Sequence, residues 1–100
     1  MNGAVPPLPD DQIAARLAEL PGWERTGDEI VTSYELPTFM EAIAFVNRVA
    51  ELAEDADHHP DLDIRWRTVR AALTTHDQGG LTAKDFDLAA RMDATSGVRG

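Results

Sequence analysis

An α+β fold, an antiparallel sheet with helices on one face in the order α-β-β-α-β-β-α, is what this sequence predicts, and three observations predict it. Two stretches, Trp23 to Leu36 and Leu62 to Thr75, each hold a pair of β-prone runs joined by a connection of hairpin length, which only antiparallel neighbours can use. Segments of helical period stand before, between and after them. With 100 residues, 43% hydrophobic and 27% charged, the chain has the size and balance of one ordinary globular domain.

The elements follow in order. Residues 1–9, with Pro6, Pro7 and Pro9, read as a flexible arm. The domain proper is expected over 10–96. Asp10 stands as the N-cap of a short amphipathic helix in which Ile13, Leu17 and Leu20 repeat until Pro21-Gly22 stops them. In WERTGDEIVTSYEL the Gly27-Asp28 pair is the hairpin turn, and Ile30, Thr32 and Tyr34 share one face by alternation. Thr38 and Glu41 match a capping box that opens a long helix.

That helix carries two apolar stripes, Phe39, Ile43, Val46, Ala50 and Ala53 beside Ala42, Phe45, Val49 and Leu52. Either both enter the core, or one is surplus and meets another element or subunit. Pro60 pushes its predecessor toward extended backbone, so the helix should end near Asp57 or His58. Further on, Ile64 and Trp66 fall on one parity while Val69, Ala71 and Leu73 fall on the other, which implies a turn or bulge around Arg67-Thr68. His76 to Thr82 forms a loop. Thr82 with Asp85 makes a second capping box, stapled by Leu81 and Phe86, for a last helix over about Ala83 to Met92. Residues 97–100 read as loose.

Composition narrows the function. A net charge of -9 disfavours direct binding to nucleic acid or an anionic membrane, although Arg65, Arg67 and Arg70 form a local basic strip. The zero cysteine count removes disulfides and thiolate metal sites. The N-terminus has no basic n-region or apolar h-region, and no stretch suits a bilayer, so a cytoplasmic protein is expected.

The candidate chemistry is acid–base. His58, His59 and His76 are the only histidines, and imidazole, with an unperturbed pKa of about 6.5, exchanges protons near neutrality. All three fall near predicted element ends, where a scaffold presents side chains to ligands. Glu54 lies one helical turn before His58, and the helix C-terminus adds its dipole, the setting of a general acid. Asp57 is placed to orient a ring nitrogen or simply to be solvated. Pro60 is explained by stopping the helix. His76 opens a Gly79-Gly80 loop where backbone can approach a ligand. Asp85 has a sufficient structural role as the third residue of its capping box. A metal site from the histidines with Glu54, Asp57 or Asp77 is disfavoured, since adjacent His58 and His59 tend to point apart and HExxH is absent. Ser33 and Ser96 sit in no nucleophile elbow, and no P-loop or dinucleotide fingerprint occurs.

These residues resemble the pterin-4a-carbinolamine dehydratase family. The likeness rests on Glu54-Asp55-Ala56-Asp57-His58-His59-Pro60, Trp66, Thr75-His76-Asp77, Gly80-Leu81-Thr82 and Asp85. Five residues separate Pro60 from Trp66, nine Trp66 from His76 and eight His76 from Asp85. It extends in element order from about Leu8 to Met92. The resemblance implies a four-stranded antiparallel sheet with three helices on one face, assembled as a homodimer or homotetramer. It also implies dehydration of 4a-hydroxytetrahydropterin to quinonoid dihydropterin in pterin recycling, with no cofactor. His58 and His76 would be the acid–base pair near the hydroxyl, with His59 contacting the pterin and able to share the proton work. Glu54, Asp57, Pro60, Thr75, Asp77 and Gln78 would belong to the substrate site, with Trp66 and Asp85 supporting it. The alternatives are a protein-binding or dimerisation module of the same fold, as some family members partner transcription factors, and a dehydratase for another pterin-like compound.

Overall fold

A computed structural model describes residues 6–97. Its elements are α1 (Asp10–Leu17), β1 (Glu24–Thr26), β2 (Glu29–Glu35), α2 (Phe39–Ala56), β3 (Asp61–Arg65), β4 (Thr68–Leu73), a single 3-10 turn (His76–Gln78) and α3 (Ala83–Ser96). The four strands form one antiparallel sheet in the order β1-β2-β4-β3. This is the α+β architecture and element order the sequence predicts.

Alternation decides which face is covered. Ile30, Thr32 and Tyr34 of β2 stand opposite Leu73, Ala71 and Val69 of β4, and all six are buried. The aromatic ring of Phe45 on α2 lies 4.7 Å from that of Tyr34, so the long helix packs over the centre of this face. Its buried residues are Ala42, Phe45, Val49 and Ala53. The Phe39 stripe divides: Ala53 is buried and Val46 packs partly against the core, as does Leu52 of the other stripe, whereas Phe39 stays 46% exposed and neighbouring Met40 73%.

Several local expectations are corrected. Pro9, not Asp10, is the N-cap of α1, with no side-chain cap, so Asp10 becomes the first helical residue. There its charge still favours the positive end of the helix dipole. At Thr38 only half of the capping box forms: Thr38 Oγ1 accepts the Glu41 N–H at 3.1 Å, but the Glu41 carboxylate meets the Thr38 hydroxyl at 3.4 Å. The β3–β4 turn is Trp66-Arg67 rather than Arg67-Thr68, because Arg65 pairs with Thr68. A two-residue loop pairs Ile64 with Val69, which is the parity switch seen in the sequence. Finally, α3 runs four residues past Met92 to Ser96, whose side chain is buried, and Gly97 takes the left-handed cap at φ 72°.

Within the N-terminal arm, residues 1–5 lie outside the described residues. Leu8 donates its N–H to Leu81 O at 2.8 Å and packs partly against the core. Residues 98–100 of the C-terminal segment expected to be loose are likewise outside. Among the described residues, no helix is long and apolar enough to cross a membrane.

Candidate active site

Strand register brings the histidines together. Asp61, first in β3, pairs with Ala72, next to last in β4. The exit of α2 therefore lies beside the end of β4, and His58-His59 face Thr74-Thr75-His76 across a short gap. The N-terminus of α3 closes the third side. Asp57, His58, His59, Thr74, Thr75, His76, Asp77 and Lys84 line an open cleft of about 210 Å³.

Helix termination aims His58 inward. Asp57 adopts the left-handed conformation at φ 50°, its N–H bonds Glu54 O at 3.2 Å, and the His58 N–H reaches back to Ala53 O at 3.0 Å. This is a helix stop of Schellman type, in which a left-handed residue satisfies the final carbonyls and reverses the chain. His58 consequently enters the interior, 8% exposed, while His59 points outward.

Each of these rings has its own carboxylate. His58 Nε2 lies 2.6 Å from Asp85 Oδ1, and His59 Nε2 lies 2.6 Å from Glu54 Oε2. The expected Glu54–His58 pairing is thus corrected. Past the left-handed Asp57 the helical spacing no longer holds, so Glu54 meets the residue five positions on instead of four. Asp57 lines the rim, and among the described residues no hydrogen bond joins its carboxylate to a histidine.

Asp85 is fully buried and does more than cap its helix. Its Oδ2 accepts the Thr82 N–H at 3.0 Å, the capping contact, and also the Thr75 hydroxyl at 2.8 Å. A buried carboxylate survives only where donors satisfy it. Here two donors occupy Oδ2, and the helix N-terminus adds a favourable field. Because an ionised carboxylate can only accept, Nε2 of His58 is the donor in its pair. An apparently structural capping residue therefore also orients the buried imidazole.

The remaining expected residues are distributed unevenly. His76 and Asp77 line the cleft from the 3-10 turn, whose Gly79 cap at φ 74° ends it. Pro60, Gln78, Glu54 and Asp85 do not line it. Trp66 lies at the opposite end of β4, six strand residues away, which is roughly 20 Å at the usual strand rise. Lys84 was missed by sequence reading, although its position two residues after the Thr82 cap was enough to place it at the mouth of that helix. Thr74 was also missed. Its hydroxyl donates to Asp28 O at 2.5 Å and ties the end of β4 to the first hairpin. A larger cleft of about 330 Å³ lies between the end of α1 and α3, lined by Glu19, Leu20, Pro21, Gly22, Ala90, Asp93 and Ala94. Lacking a histidine, and with Asp93 bonded to Trp23 and Tyr34, it is the weaker candidate for proton transfer. Among the described residues, no group of three His, Asp or Glu side chains is arranged to hold a metal ion.

Comparison with known proteins gives the family. Residues 6–95 match the family model described as pterin 4 alpha carbinolamine dehydratase. A protein of Roseiflexus sp. (strain RS-1), provisionally named pterin-4-alpha-carbinolamine dehydratase, is 60% identical over 86 residues, covering 86% of this chain and 92% of its own. A Chloroflexus aurantiacus protein with the same provisional name is 55% identical over 93 residues, 93% of this chain and all of its own. The crystal structure of a transcriptional coactivator/pterin dehydratase from Brucella melitensis superimposes with a TM-score of 0.87 at 29% identity, over 90% of this chain and 98% of that one. A pterin dehydratase-like protein described as a RuBisCO assembly factor in the alpha-carboxysome shares the fold at a TM-score of 0.62 and 21% identity, over 75% of this chain and 87% of that one. With the family model matched over residues 6–95 and relatives 55–60% identical over most of both chains, the chain belongs to the pterin 4 alpha carbinolamine dehydratase family.

Proposed function

We propose that this protein dehydrates 4a-hydroxytetrahydropterin to quinonoid dihydropterin by histidine acid–base catalysis, as one step in recycling a pterin cofactor. The observation that carries the reading is the convergence of His58, His59 and His76 on one cleft, the first two each held by a carboxylate. Loss of water from a carbinolamine asks for a proton at the departing C4a hydroxyl and removal of the proton on N5. The C4a–O bond breaks as the C4a–N5 double bond forms, so the electrons balance within the substrate. No cofactor takes part in this step.

In this reading His58 and His76 serve as the acid–base pair near the hydroxyl, and His59 contacts the pterin. Glu54 holds His59, and Asp85 holds His58. Asp57 and Asp77 offer acceptors to pterin N–H groups at the rim, with Gln78 and Pro60 flanking the same loops. General acid–base catalysis of this kind contributes about 10² to 10⁴-fold. That suffices for a carbinolamine, which already dehydrates unaided.

The deciding measurement is the decay of 4a-hydroxytetrahydropterin with purified protein. Acceleration by the wild type, lost in the His58→Ala, His59→Ala double variant, is the expected result. Folded wild-type protein that leaves the decay rate unchanged would remove the reading. A second reading, a protein-binding role, is favoured by the coactivator description of the Brucella melitensis protein. A stoichiometric partner recovered with the wild type, alongside negligible turnover, would favour it over the first.

A further inference from the structure

We propose that Thr75 is a positioning residue for His58, acting through Asp85 and not through contact with the ligand. This rests on the acid–base reading of the cleft only for its effect on turnover. Thr75 is 7% exposed, and its hydroxyl faces inward, donating to Asp85 Oδ2 at 2.8 Å. A hydroxyl has a single proton to give. The 2.8 Å contact between the Thr75 and Thr82 hydroxyls therefore has Thr82 as donor. Thr82 Oγ1 in turn accepts the Lys84 N–H at 3.3 Å. The chain from Lys84 through Thr82 and Thr75 runs in one direction and ends on Asp85.

This polarity has a consequence at the far end. Oδ2 of Asp85 is occupied by Thr75 and by the Thr82 N–H, which leaves Oδ1 for His58 Nε2. Rotating the carboxylate would break all three contacts together. His58 is thereby held with its proton on Nε2, and Nδ1 is the nitrogen that meets the ligand. Among the described residues, no hydrogen bond reaches Nδ1.

The test uses the full chain labelled with ¹⁵N-histidine, with nitrogen–proton spectra recorded where the imidazole is neutral and the His58 signals assigned by their loss in His58→Gln. The wild type should carry the His58 proton on Nε2, protected from solvent exchange. Thr75→Val keeps the shape of threonine without its donor. It should lower that protection and reduce kcat about tenfold with KM changed less than about twofold, a cost typical of a slightly misplaced catalytic group. Thr75→Ser should restore both. Should Thr75→Val fail to fold, Asp85→Asn replaces it: its carbonyl oxygen must face the Thr75 and Thr82 donors, so its amide faces His58 and the imidazole proton moves to Nδ1. A wild-type proton on Nδ1, unchanged protection in Thr75→Val, a raised KM with unchanged kcat, or retention of the Nε2 proton in Asp85→Asn would each overturn the proposal. The spectra decide it even if the wild type proves inactive on the carbinolamine.

Discussion

Asp85 and Glu54 differ in what their loss should do, although each holds a histidine at 2.6 Å. The His58–Asp85 pair is buried, so removing one partner leaves polar groups without water to replace it, which costs about 1–3 kcal/mol or more. Asp85→Ala should therefore lower stability by at least about 2 kcal/mol in urea unfolding, and should reduce turnover along with it. The His59–Glu54 pair is mostly exposed, and such pairs contribute about 0–1 kcal/mol. Glu54→Gln should shift stability by less than about 0.5 kcal/mol, and a larger loss would mean that the pair is buried in an assembly. The sequence showed three histidines and a capping acid. It did not show that the acid belongs to His58, because those residues are 27 positions apart and no periodic pattern spans that distance.

At the scale of elements, the centre of the fold is the contact of α2 with the sheet. Phe45 is fully buried against Tyr34, and Phe45→Ala should cost about 3–5 kcal/mol, as large-to-small core substitutions do, read as a lowered urea midpoint at unchanged slope. The arm supplies a smaller effect. A Cβ placed on Gly80 would sit 3.2 Å from Pro7 Cβ, and the Leu8–Leu81 hydrogen bond is next to it. Gly80→Ala should loosen this arm, seen as faster hydrogen exchange at Leu8 and a stability change of about 1 kcal/mol or less. Helices and strands were legible here because alternation and the 3.6-residue period are local. Helix ends were less so: Pro9 caps α1 simply because its backbone is extended, and α3 continues to Ser96 because its last turn packs inward, which composition alone does not reveal.

For the molecule as a whole, exposed apolar side chains mark what the isolated chain leaves uncovered. Phe39 and Met40 at the start of α2 and Ile64 and Trp66 at the β3–β4 hairpin are each at least 40% exposed. Trp66 also holds φ at 53°, an unusual conformation for a bulky residue. We propose that the protein is a homodimer or homotetramer in solution, with light scattering as the measurement. A dimeric or tetrameric mass is expected, and a monomer at micromolar concentration would exclude it. Met40→Glu should weaken an assembly that covers the start of α2 while leaving the monomer folded, since substitution at a largely exposed position changes stability by less than about 0.5 kcal/mol.

By itself the sequence determined the α+β order and the faces that become core, and it singled out the three histidines as candidates for acid–base chemistry, because periodicity, capping patterns and residue type act over a few neighbours. Its spacing was also enough to suggest the family. Only the tertiary structure decided which carboxylate holds which histidine, that Trp66 stands far from the cleft, and that Lys84 stands at it. The reason is geometric: the pairing of Asp61 with Ala72 and the left-handed turn at Asp57 set the distances among segments remote in the chain. Those distances assign the partners.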